Sequence, residues 1–201
     1  MRRQFAKEEE IYILFFNACA FREVTYLLCN RLNKFSTDCN QFSTIIVNGT
    51  LSAELFLKFL AGHDSAENDE SENAEFCFVH SLKQLYNFLS EDRKQEIENQ
   101  IGTLNCDKDA LERFLASDEN VPNSNQVTWR YLIVPDKDSY EFDINTMIKL
   151  IEVLYNLSQK IINSLNNKIK FPDMSSSMLD DKTINMIQNA LDNTQLLENR
   201  Q

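Results

Sequence analysis

Apolar positions along this chain recur at intervals of three and four, the spacing of one face of a helix. Between Glu8 and Asn33, Leu14, Ala18, Phe21, Thr25, Leu28 and Leu32 fall on one stripe that continues to Phe35. Ile13, Phe16, Ala20, Val24 and Leu27 widen that face, so a first long, largely covered helix is predicted. Ser36-Thr37-Asp38 breaks it. From Gln41 to Ala61 the chain is apolar almost all round, with Ile45, Ile46, Val47, Leu51, Leu55, Phe56, Leu57, Phe59 and Leu60. A helix without a wet face belongs at the centre of a bundle, with its neighbours wrapped around it. Its Glu54 and Lys58 are four apart with the acid first, the favourable orientation for an ion pair. They are read as one narrow solvated strip.

Beyond Gly62 the pattern reads as an acidic loop over residues 62–76, where Asp64, Glu67, Asp69, Glu70, Glu72 and Glu75 follow one another without a basic residue. The spacing is not that of a calcium-binding EF-hand loop, and no metal is expected. A short helix is predicted from Ser81 to Leu89. Ser90 caps the next, with Glu91 and Asp92 in its first turn and Gly102 at its end. Another short helix spans Lys108 to Ser117, and residues 118–142 read as irregular. The clearest helix start comes next: Asp143 as N-cap, with Phe142 and Met147 placed as a hydrophobic staple. That helix runs through Ile148, Ile151, Leu154, Tyr155, Ile161, Ile162 and Leu165. Residues 1–170 are read as one helical domain. Residues 171–201 are a linker and an amphipathic C-terminal helical arm, with Ile184, Ile187, Leu191 and Leu196, that either folds back or embraces a second subunit.

Composition narrows the picture. Only 3 Gly and 3 Pro occur in 201 residues, too few for a sheet protein that needs turn residues every few positions. A net charge of −11 disfavours general nucleic-acid binding. The five cysteines (Cys19, Cys29, Cys39, Cys77 and Cys106) show no CxxC spacing, which removes the common zinc and redox motifs. Cys19 and Cys29 are expected to act as small core residues. Neither a signal peptide nor a run of transmembrane length is expected. Without a secretory signal the glycosylation patterns at Asn48 and Asn156 carry no meaning. A cytoplasmic location away from membranes follows as the expectation.

The order of signals resembles the HEPN family of small helical proteins, whose name abbreviates higher eukaryotes and prokaryotes nucleotide-binding. The resemblance runs from about Phe15 to Leu165. It is carried by Ser52-Ala53-Glu54-Leu55-Phe56-Leu57-Lys58, His80-Ser81-Leu82, Ser90-Glu91-Asp92-Arg93, Leu111-Glu112-Arg113-Phe114-Leu115 and Trp129-Arg130-Tyr131. It implies an all-α, up-and-down helical bundle, frequent homodimers and, in prokaryotic branches, roles in toxin–antitoxin or defence systems. It also implies, for many members, a metal-independent ribonuclease with an Arg followed four to six residues later by a His. Such a His moves a proton while the Arg steadies charge on the phosphate. This chain departs from that signature. The nearest match is Lys58-Phe59-Leu60-Ala61-Gly62-His63, where lysine lacks the planar fork of arginine.

The candidate residues are therefore a polar cluster of Glu54, Lys58, His80, Trp129 and Arg130, with His80, His63, Lys58 and Arg130 as the only candidates for catalysis. His80 is read as a structural group that caps or hydrogen-bonds a neighbour, and His63 as exposed and inert. Arg130 needs an anion if buried, and Glu54 is the expected partner, testable by a double-mutant cycle of Glu54→Gln and Arg130→Met. The leading expectation is a non-catalytic bundle that binds itself, a protein partner or a nucleotide, with no cofactor. The alternatives are a ribonuclease with an atypical site and a nucleotide-binding helper of a nucleotidyltransferase. For the last, no glycine-rich loop is present, although helix N-termini can hold phosphate.

Overall fold

The computed structural model describes residues 8–32, 39–67, 78–116 and 142–166. They form an all-α bundle of α1 (Glu8–Leu32), α2 (Cys39–Glu67), α3 (Leu82–Asn87), α4 (Glu91–Thr103), α5 (Lys108–Leu115) and α6 (Ile144–Asn166). The predicted parts falling on residues 68–77, 117–141 and 167–201, including the C-terminal arm, lie outside the described residues.

Helix α2 is the inner rod. It packs against α1, α3 and α6, while α4 and α5 pack on α6. Thr44 alone is exposed between positions 42 and 65. Ser52 Oγ donates to the carbonyl of Ala18 at 2.9 Å, and Phe15 meets Phe56 and Phe59, so α1 and α2 run antiparallel at close range. Tyr155 of α6 closes the aromatic cluster against Phe15 and Phe56. Gly49 sits so close to Met147 that an added Cβ would strike its side chain. The pairs 49–147 and 56–155 show that α6 runs parallel to α2, the short helices having carried the chain back between them.

The caps follow sequence chemistry. Ser81, Ser90 and Asp107 each accept a hydrogen bond from the backbone N–H three residues on. Asp143 Oδ1 accepts from Thr146 N at 2.9 Å, as its position predicts. Three boundaries differ from expectation. Residues 62–67 are helix rather than acidic loop, because Gly62 is buried in helical conformation and Asp64 is held by the next elements. The helix beginning near Ser81 starts at Leu82 and closes at Asn87. Helix α4 passes Gly102 and stops two residues later. There Asn105 takes φ 55°, Cys106 N bonds Ile101 O at 3.3 Å, and Asn105 N bonds Gly102 O at 3.2 Å. That is a Schellman stop with asparagine in the left-handed position, which its short polar side chain tolerates.

Helix α1 is rotated from its predicted face. Tyr12, Phe15, Ala18, Cys19, Arg22, Thr25, Tyr26 and Cys29 are buried, while Ile13, Val24 and Leu27 are 57%, 39% and 48% exposed. Arg22 hid the true stripe by interrupting it with a charge. Both α1 (over Tyr12–Arg31) and α2 (over Phe42–Ser65) are long and apolar enough to cross a membrane, contrary to the expectation that no run reaches that length. Two thirds of the α2 stretch is buried against other helices, as in the core helix of a bundle.

Candidate functional site

The candidate cluster forms in the middle of α2. Glu54 and Lys58 lie one turn apart, so Lys58 Nζ reaches Glu54 Oε1 at 2.7 Å. The expected solvated strip is instead interior: Glu54 is 2% and Lys58 6% exposed. Glu54 and Lys58 lie on the covered side of α2, and the side nearer water is the partly exposed row through Thr44, Val47, Asn48, Leu51 and Leu55. A buried charge is costly unless paired, and here each partner supplies the other's counter-charge.

The loop entering α3 brings the third member. His80 Nδ1 lies 2.9 Å from the same Glu54 oxygen, while the side chain remains 57% exposed. His80 precedes the N-cap Ser81, so it fastens the loop rather than capping the helix. With Nδ1 on the carboxylate, Nε2 is left as the ring's second polar atom. A carboxylate that orients an imidazole in this way fixes which nitrogen carries the proton. The arrangement can do two things chemically: tie the α3 entry to the core, and present an oriented imidazole. Trp129 and Arg130 lie outside the described residues, and the proposed Glu54–Arg130 link with them.

His63 does not join this cluster. It is five residues beyond Lys58 on the same helix, about 140° around the axis, so the Lys58–His63 spacing does not place both on one face. Its side chain is 19% exposed rather than free in solvent, and Nδ1 lies 3.9 Å from Asp64 Oδ1. The expectation of an exposed His63 fails because α2 continues past Gly62.

Sequence reasoning missed two further polar clusters. Asp64, buried near the end of α2, accepts from Ser90 N (3.1 Å) and Ser90 Oγ (3.0 Å) through Oδ2. Its Oδ1 accepts from Arg93 Nη2 at 3.1 Å. Burial opposes ionisation, but the His63 ring, the Arg93 charge and both Ser90 donors outweigh it and hold the carboxyl below its usual range. Arg93 also bonds Glu96, which Lys160 of α6 reaches at 3.1 Å.

The second lies between α1 and α6. Glu152 Oε2 accepts from Arg22 Nη2 at 2.7 Å and from Tyr26 Oη at 2.9 Å. The Arg22 guanidinium rests 4.1 Å from the Tyr155 ring centroid and 4.8 Å from that of Tyr26. Burial pushes the Tyr26 hydroxyl well above its ordinary value, and the Glu152 charge adds to it. The signal was present in sequence: Ala18, Arg22 and Tyr26 follow at intervals of four, which puts Arg22 on the buried face.

Burial pushes the Cys19 and Cys29 thiols up to about 12, so these are unreactive core residues, as expected. Among the described residues no group of three His, Cys, Asp or Glu side chains is placed to hold a metal. Comparison with protein-family models, curated proteins and solved structures finds no match to this chain.

Proposed function

We propose that this chain is a HEPN-like helical bundle that acts by binding and assembly rather than by catalysis. The observation that carries this reading is the apolar surface on α1, where Ile13, Val24 and Leu27 stand exposed on a helix whose opposite face is fully packed. Exposed apolar residues aligned along one element mark an interaction surface. The candidate cations fit the same reading. Lys58 is held inside the core by Glu54, away from any substrate phosphate. The resemblance to HEPN proteins supports a place in a prokaryotic defence or toxin–antitoxin type system, with a protein or nucleotide as a further partner.

A specific observation favours a second reading, a metal-independent ribonuclease. His80 combines an oriented Nδ1 with a half-exposed ring, and Phe78, two residues earlier, is 76% exposed and offers a face on which a base can stack. Incubating the protein with labelled RNA in chelator, beside a His63→Ala/His80→Ala variant, separates the two. Binding and assembly without cleavage is the expected result. Cleavage that the double variant loses would replace the assembly reading with the nuclease one.

A further inference from the structure

We draw no further inference here: the strongest candidate, the exposed apolar row of α1 through Ile13, Val24 and Leu27, carries nothing beyond the assembly reading because nothing among the described residues shows what covers it.

Discussion

Glu54 and Asp64 lie ten residues apart on α2, both buried, and the fold neutralises them by different routes. Glu54 takes its main partner from its own helix: Lys58, one turn on, closes at 2.7 Å and needs no other element. His80 adds a bond from the half-exposed loop. Asp64 has the neighbouring His63 ring on its own helix, but takes hydrogen bonds from beyond α2, at the N-cap of α4 and from Arg93. One pair is complete once α2 is helical. The other exists only when α4 has docked. The first acid supports the rod, and the second registers the outer helices against it.

The sharpest way to break that contrast is Glu54→Gln. It leaves the Lys58 ammonium in the core without its counter-charge and should cost about 3–5 kcal/mol, the range for breaking a buried pair from one side. If the local pair is self-contained, adding Lys58→Met should recover most of the loss, measured by denaturant midpoint. A double variant as unstable as Glu54→Gln would show that other elements depend on the carboxylate itself.

Asp64→Asn should cost less, about 2 kcal/mol, the worth of hydrogen bonds to a charged acceptor. Its pH dependence gives a second handle. Asp64 is held below its ordinary value of 3.8 in the folded chain. The stabilisation is therefore fully present above that value and is lost as pH falls through the depressed folded one. The stability gap between wild type and Asp64→Asn should narrow as the solution is taken below about pH 4. A gap that stays constant into acid would mean that the charge of Asp64 contributes nothing.

The same contrast explains what was legible in the sequence. Glu54 and Lys58 were readable as a pair because the i, i+4 relation is local, but their burial was not, since it depends on which helices close over α2. The start of α6 at Asp143 and the cap at Ser90 were also readable, because capping is decided within a few residues. The end of α2 was misplaced for a nonlocal reason. Gly62 and the run of acids look like a helix stop, whereas Ser90 and Arg93, 26 and 29 residues away, bond Asp64 in the continuing helix. Arg22 was missed likewise: its acceptor Glu152 lies 130 residues on. Asn105 took the turn assigned to Gly102 because an asparagine reads as ordinary loop until its φ is known.

Ser90 tests whether Asp64 works through the cap. Its hydroxyl donates to Asp64 and accepts from Arg93 N, so Ser90→Ala removes both at about 1 kcal/mol, typical of a lost N-cap. In a double-mutant cycle Ser90→Ala and Asp64→Asn should be coupled by about 0.5 kcal/mol or more, while Ser90→Ala and Glu54→Gln add within that margin. Coupling to Glu54 instead would erase the division between rod and register.

The smallest effect belongs to His80, and it sharpens the claim about Glu54 most finely. If Lys58 supplies the counter-charge that burial demands, the imidazole is a fastening rather than a necessity. Its ring is more than half exposed, and on its loss water can reach the edge of the carboxylate from that side. A hydrogen bond at such a site is worth about 0.5–1.5 kcal/mol net, so His80→Ala should fall near the lower end. The loss should show first as faster amide exchange at Ser81 and Leu82, where the loop enters α3, with α2 unaffected. A loss approaching that of Glu54→Gln would mean that the carboxylate is neutralised across the loop, as Asp64 is across α4, and that the two acids are alike after all.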